Sequence, residues 1–344
     1  ELFLQSKQTL SLQVYFSVRV VFLIAFALIV SKIKVSREKL AWLLAILGGI
    51  QSIIAVIQFY TQKSIGLYLL GESHLSPEAL GVAKIVSHGT TLIRGYGTFP
   101  HANLLSAFLV VALLFNIYLL IKSYQIPRGR NRLIALYVLL LINTFGLFLT
   151  FSRGGILAFG VAMAVITAYF LINKQFTKIY HVVIPVALAI GVSIAILAPY
   201  LSTRTTISDT ATKERLFYSE IGKNMIQDQP FTGLGPGTSV LHMKQYSPTE
   251  LKPWEVQPIH NYYLIVWAEW GMGAIFLLIL IIYPIFALFK RNIDEWQLVL
   301  LAAGIAFLAL SLLDHYFYTI WPTQLLLWLI VGLILKSLFY MKQD

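Results

Sequence analysis

Cysteine is absent from the chain, which excludes disulfides, thiolate-held metals and cysteine nucleophiles. Charge is nearly as scarce: 12% of the 344 residues are Asp, Glu, Lys or Arg, against roughly a quarter in a soluble domain. No Asp-x-Asp occurs to hold a metal–nucleotide-sugar, and no local His/Asp/Glu spacing has the form of a metal site, so no metal and no cofactor are expected. What fills the space is hydrophobic. Such residues make up 58% of the chain, and the mean hydropathy is +0.76. Several runs of about 18 or more apolar residues are long enough to cross a hydrocarbon core as helix.

The reading is an all-α polytopic membrane protein. Nine spans are expected, at about 12–31, 40–60, 102–122, 133–151, 154–173, 179–199, 260–289, 296–314 and 321–340. The net charge of +11 does not imply nucleic acid, because the cations sit in short loops between the apolar runs. Lys32, Lys34, Arg37 and Lys39 follow span one. Lys122, Arg128, Arg130 and Arg132 follow span three, Lys174 and Lys178 span five, and Lys290 and Arg291 span seven. Alternation puts all of them on one face, the cytoplasmic one. The loop around His315 on the other face has neither Lys nor Arg. An odd count leaves the amino terminus outside. A chain that starts there without Met is expected to continue upstream by an odd number of spans. Spans and loops read as one domain, residues 1–344, with 200–259 forming an extracytoplasmic loop subdomain over the active site.

Two outer segments have room for structure. Residues 61–101 are expected to hold a short helix near Pro77–Ser87. Residues 200–259, with six basic and six acidic residues, are expected to hold an amphipathic helix over Ala211–Gln227, capped by Thr210 or Thr212. Phe217, Ile221 and Met225 would form its packed stripe, leaving Arg215 on a free face with Ser219 and Gly222.

Four polar clusters share the outer face: "RGYGTFPHAN" (Arg94–Asn103), "SRGG" (Ser152–Gly155), "HN" (His260–Asn261) and "LLDHYFY" around Asp314 and His315. Arg153 opens a helix, where a cation opposes the helix dipole unless an anion sits between it and the free N–H groups. The other reading is snorkelling to headgroups. His260 is either a polar residue starting a helix or a general base for an acceptor hydroxyl. Arg94 divides between loop architecture and anion contact. Asn103 is read as a cap for span three, Asp314–His315 as a local polar pair, Glu269 as structural and Arg19 as snorkelling. "GLGPG" lacks the following Lys-Ser/Thr of a nucleotide loop; it is a turn that could shape a groove beside Arg215. Outer arginines with one imidazole at the membrane surface suit a diphosphate whose tail lies in the bilayer.

Taken in order, "RGYGTFPHAN", "SRGG", "R…DQPFTGLGPG" (Arg215 to Gly237) and "HNYYLIVWAEWGMG" (His260–Gly273) resemble the O-antigen ligase and polymerase superfamily of bacterial envelope glycosyltransferases. The resemblance implies a GT-C-like helical bundle in the cytoplasmic membrane, with a long outer loop between spans six and seven. It further implies metal-independent transfer of a glycan from undecaprenyl diphosphate to a lipid, glycan or protein acceptor. Arg153 and Arg215 would bind the diphosphate with help from Arg94, and His260 would activate the acceptor. Asn261, His101, Asn103, Gly235 and Gly237 are supporting candidates. This chain has Pro100-His101-Ala102-Asn103 where the family often has Asn-Pro-Asn. Arg153, Arg215 and His260 are expected to meet in one pocket. The rivals are a transporter or flippase of an anionic amphiphile, with ionisable groups near the midplane, and an assembly scaffold indifferent to loss of these residues.

Overall fold

The computed structural model describes residues 2–125, 129–201, 210–289 and 292–339. Arg128, Lys290 and Arg291, used above for orientation, lie outside them. The regular structure among the described residues is α-helical apart from short 3₁₀ turns and one two-stranded hairpin: α1 Leu2–Lys32, α2 Arg37–Thr61, β1 Lys84–Ser87, β2 Thr90–Ile93, α3 Ala102–Gln125, α4 Arg130–Leu149, α5 Arg153–Ile172, α6 Phe176–Leu201, α7 Thr210–Asp228, α8 Ser239–Tyr246, α9 Tyr262–Trp270, α10 Gly273–Leu288, α11 Glu295–Ser311, α12 Tyr316–Thr319 and α13 Trp321–Phe339. Seven of these (α1 to α6 and α13) are long and apolar enough to cross a membrane, while α10 and α11 are shorter apolar helices.

The expected seventh span, 260–289, is therefore two helices. Gly271 takes φ +52° and ψ −130°, a combination open to glycine alone. The interruption is satisfied from elsewhere, since Met272 N donates to Phe231 O at 2.9 Å. The helix expected near Pro77–Ser87 is also replaced. Residues 84–93 form the β1–β2 hairpin, with Lys84 opposite Ile93. Its turn is His88–Gly89, both at positive φ as a two-residue type I′ hairpin requires.

The chain divides into two compact units, each assembled from separated segments. One comprises 34–206 and 292–307. Its α3 is buried along nearly its whole length, whereas α2, α4, α5 and α6 each leave a face outward. Small residues allow the close approach. A Cβ on Gly48 would lie 2.5 Å from Ala112 Cβ, and one on Gly155 2.5 Å from Ser106 Oγ. At one end of this unit the loop cations are paired: Arg132 and Lys122 with Glu38 at 2.8 and 3.7 Å, Arg37 with Asp294 at 2.8 Å, and Lys178 with Glu295 at 2.7 Å. The helix termini in these pairs thus share one end, as the loop charges led us to expect for those residues.

The other unit comprises 1–33, 207–291 and 308–344. Within it α1 and α13 run alongside one another, their carboxyl ends joined by Lys336 Nζ donating to Ile33 O at 3.0 Å. Arg19 does not snorkel. It is buried, stacks at 4.6 Å over Phe16 and 5.1 Å over Trp321, and donates to Tyr318 O at 2.6 Å. The amphipathic helix is α7, but its packed face is rotated from the one expected. Tyr218, Ile221 and Met225 are buried while Phe217 is only half-buried. Gly222 belongs to the packed side, because a Cβ there would come within 3.1 Å of Ile259. Arg215, at i−3 and i−7 from Tyr218 and Gly222, shares that stripe instead of facing away from it.

Candidate functional site

The head of α9 is fixed before any functional atom is placed. Ile259 is fully buried, and Asn261 caps the helix: its side chain accepts from Leu264 N at 3.0 Å and donates to Leu312 O at 3.1 Å. That second bond ties the turn after α11 to His260. In this turn Asp314 N donates to Leu310 O at 3.0 Å, and the Asp314 side chain accepts from His315 N at 2.9 Å. The same Asp314 Oδ1 lies 3.5 Å from His260 Nδ1 and 3.7 Å from His315 Nε2. The two imidazoles stand 5.0 Å apart between centroids, and the Tyr218 ring is 5.4 Å from His260 on the α7 side. His315 Nδ1 is held by Thr319 Oγ1 at 2.6 Å.

Electrostatics follow from this packing. Burial works against the Asp314 charge, but His260 and the His315 backbone N–H outweigh it and hold the carboxyl well below its ordinary range. Burial lowers the His315 imidazole to about 4 despite the neighbouring carboxylate, so at neutral pH it is uncharged. Tyr316 is raised, first by burial and then by Asp314, while Arg215 opposes the shift, placing that guanidinium within electrostatic reach of the cluster. Among the described residues no carboxylate forms an ion pair with Arg215. A carboxylate at one imidazole nitrogen fixes the tautomer and leaves the other nitrogen as the base, and a partly exposed ring can present that nitrogen to a hydroxyl.

Sequence reading placed His260 and Arg215 here but not their companions. Asp314 and His315, expected as a local pair, instead join His260 in one cluster, and Tyr218 and Thr319 pack against it without any motif of their own. The lack of metal-type spacing was likewise misleading about clustering: one donor atom each from His260, Asp314 and His315 lie within 4.8 Å of one another.

Gly235 and Gly237 belong to the same unit and are architectural. Their φ values are +101° and +77°, and a Cβ would strike Gln13 at 2.1 Å and Phe16 at 2.2 Å respectively. Their loop is gripped by the buried Glu269, whose carboxylate accepts from Gly237 N, from Ser239 N at 3.1 Å, from Ser239 Oγ at 2.6 Å and from the Tyr318 hydroxyl. Glu269 thus has the structural part expected of it.

The remaining candidates lie in the other unit. Arg153 is the first residue of α5 and exposed, with Ser152 capping the helix by accepting from Gly155 N at 3.2 Å. Arg94 is buried; its Nε donates to Thr150 O at 2.5 Å and its Nη2 to Asn103 Oδ1 at 2.6 Å. Asn103 is therefore not the cap of α3. His101 is, its Nδ1 accepting from Asn103 N at 3.1 Å.

Fold and composition define a multi-pass, helical membrane protein with a histidine–carboxylate cluster at the head of a broken helix. Residues 135–279 match the family model described as O-antigen ligase. The match takes in Arg153, Arg215 and His260 with the motifs around them, and it supports the resemblance to the O-antigen ligase and polymerase superfamily that those motifs carry. The match supports an enzyme of the ligase or polymerase kind. The Arg94–Asn103 motif and Asp314 lie outside the matched residues. No curated protein matches the chain.

Proposed function

We propose that the protein transfers a glycan from an undecaprenyl-diphosphate-linked donor to an acceptor hydroxyl on the extracytoplasmic face of the bacterial cytoplasmic membrane. His260, oriented by Asp314, takes the acceptor proton. Arg215 and Arg153 bind the diphosphate, and Arg94 supports the loop that carries its motif. As the acceptor oxygen bonds to the sugar's anomeric carbon, the bond to the diphosphate breaks. The arginine forks stabilise the departing charge without needing a metal. The observation that carries this reading is the His260–Asp314 contact at 3.5 Å, with Arg215 close by, in a chain matching O-antigen ligase.

The test is transfer of a lipid-linked glycan by the full chain in nanodiscs. His260→Ala, Arg215→Ala and Arg153→Ala are each expected to lower turnover at least about 100-fold, the lower end of a general base's contribution. Wild-type turnover in all three would reject the assignment. The broken α9–α10 helix with buried Glu269 beside it favours one rival, a flippase of the same lipid, since interrupted helices line transport sites. A flippase would move the lipid-linked donor across the bilayer and leave its diphosphate–sugar bond intact.

A further inference from the structure

The donor set at the head of α9 has a property that proton transfer does not use. Two imidazole nitrogens and one carboxylate oxygen converge, all within 4.8 Å. A tetrahedral ion with bonds of about 2.0–2.1 Å needs its donors about 3.3 Å apart. The two edges to Asp314 Oδ1, 3.5 and 3.7 Å, are already within a few tenths of an ångström of that. Only the edge between the two histidines has further to close, and His260 is the most exposed of the three side chains, at 23% against 13% for His315 and 10% for Asp314. His315 is oriented as metal-bound histidines are: Thr319 Oγ1 holds Nδ1 at 2.6 Å, and Nε2 is the nitrogen turned to Asp314. The buried Asp314 carboxylate supplies the negative charge, and its acceptance of the His315 N–H at 2.9 Å restrains its rotation. Two imidazoles with one carboxylate suit zinc and its neighbours and are poor ligands for magnesium or calcium. Three protein donors leave a fourth position open.

We propose that His260, Asp314 and His315 form a binding site for a divalent transition ion of zinc's class, and that its occupation inhibits transfer. Binding ties up an imidazole lone pair of His260. The inhibitory half rests on His260 being the acceptor base, as proposed above; the binding half does not.

Two arms keep these apart. In the first, the chelator-washed full chain in nanodiscs is titrated with Co²⁺, followed by its visible absorption, and the ion is then displaced with Zn²⁺. One ion per chain with a tetrahedral-type spectrum is expected. His315→Gln and His260→Gln should each weaken affinity at least about 100-fold, and Thr319→Ala about 10-fold through loss of the ring's orientation. His242→Gln, on α8 and not one of the three clustered donors, should bind as wild type. Thermal unfolding of each variant identifies any that fails to fold, and Thr319→Ala, which removes no ligand, then decides the matter. A chain that binds no ion, or binds it equally well in the His260 and His315 variants, overturns the site.

In the second arm, each protein's transfer rate is compared with and without Zn²⁺. Wild type should lose activity, and His315→Gln should lose a smaller fraction of its own rate at the same ion concentration. Equal sensitivity of the two, or a wild type indifferent to bound Zn²⁺, overturns inhibition while leaving the site intact. A chain that transfers no lipid-linked glycan at all overturns the transferase reading and the inhibition with it, and the cobalt spectrum still decides the site.

Discussion

Replacing Asp314 by Asn removes one charge and keeps the shape of the side chain, which makes it the cleanest probe of the proposed base. In the proposed reaction the His260 imidazole gains a proton, and the carboxylate 3.5 Å away would attract the cation that forms. At this separation the attraction is about 5 kcal/mol for an effective dielectric of about 20, and about 1 kcal/mol in bulk water. The His260 side chain is 23% exposed, so solvent screens part of the larger figure. An intermediate value of about 2 kcal/mol corresponds to roughly a 30-fold fall in rate. Because Asp314 acts only through His260, Asp314→Asn should cost nothing further in a His260→Ala background. The assay is turnover of a lipid-linked glycan donor in nanodiscs for the wild type, both single variants and the double variant. If Asp314→Asn stays within twofold of wild type, or if its effect multiplies with that of His260→Ala, the coupling argued from the geometry is wrong.

Other outcomes follow from the same structure. Arg215→Lys keeps the charge and loses the planar fork, so it should still fall at least about 10-fold in turnover; wild-type kinetics would show that no bidentate phosphate contact is made. Glu269→Leu orphans the four donors held by the carboxylate and should lower stability by at least about 3 kcal/mol, read as a drop in unfolding temperature, whereas Glu269→Gln retains an acceptor and should lose less. An unshifted unfolding temperature in Glu269→Leu would remove Glu269 from the architecture. Glu72 supplies a pH dependence. Burial raises its carboxyl, but donation from Gln58 at 2.9 Å, Ile65 N at 2.7 Å and Leu67 N at 2.5 Å outweighs burial and leaves it lowered. The stabilisation is therefore complete above the unfolded value of about 4.3 and is lost as pH falls through the lower folded value. Amide exchange at Ile65 and Leu67, corrected for intrinsic rate, should quicken over that acid range, and unchanged protection would refute the linkage.

Helices that touch lipid were legible because a whole face must be apolar and loops must be polar, a local constraint written into consecutive residues. The span expected at 154–173 is α5 at Arg153–Ile172, and that at 102–122 is α3 at Ala102–Gln125. Misreadings arose where the deciding partner is distant in sequence. Gly271 breaks a helix because Phe231, forty positions earlier, accepts the freed N–H of Met272. Gly222 is expected on a free face with Arg215, yet Ile259, thirty-seven positions on, packs against it and makes that face a packed one. The hairpin is the exception. "KIVSHGTTLI" carries the β-branched residues and the His-Gly turn on its surface, a local strand–turn–strand signal that outweighs the helix expected near Pro77–Ser87.

The outer polar clusters looked alike in sequence, and burial separates them. A buried guanidinium or carboxylate must have its hydrogen-bonding groups met, so its partners reveal its use. Arg94 donates to Thr150 and Asn103, Arg19 to Tyr318, and Glu269 accepts from a loop and two neighbouring helices; each fastens segments far apart in the chain. His101 caps α3, and Gly235 and Gly237 let a loop lie flat against α1. Asp314 differs from these anchors. Its carboxylate is buried and ionised, yet two of the groups facing it are imidazoles at 3.5 and 3.7 Å, one of them on a side chain still reached by solvent. An acid beside a part-exposed imidazole is an arrangement that an incoming hydroxyl or metal ion can reach, which is why the chemistry is proposed for His260 and not for the buried Arg94.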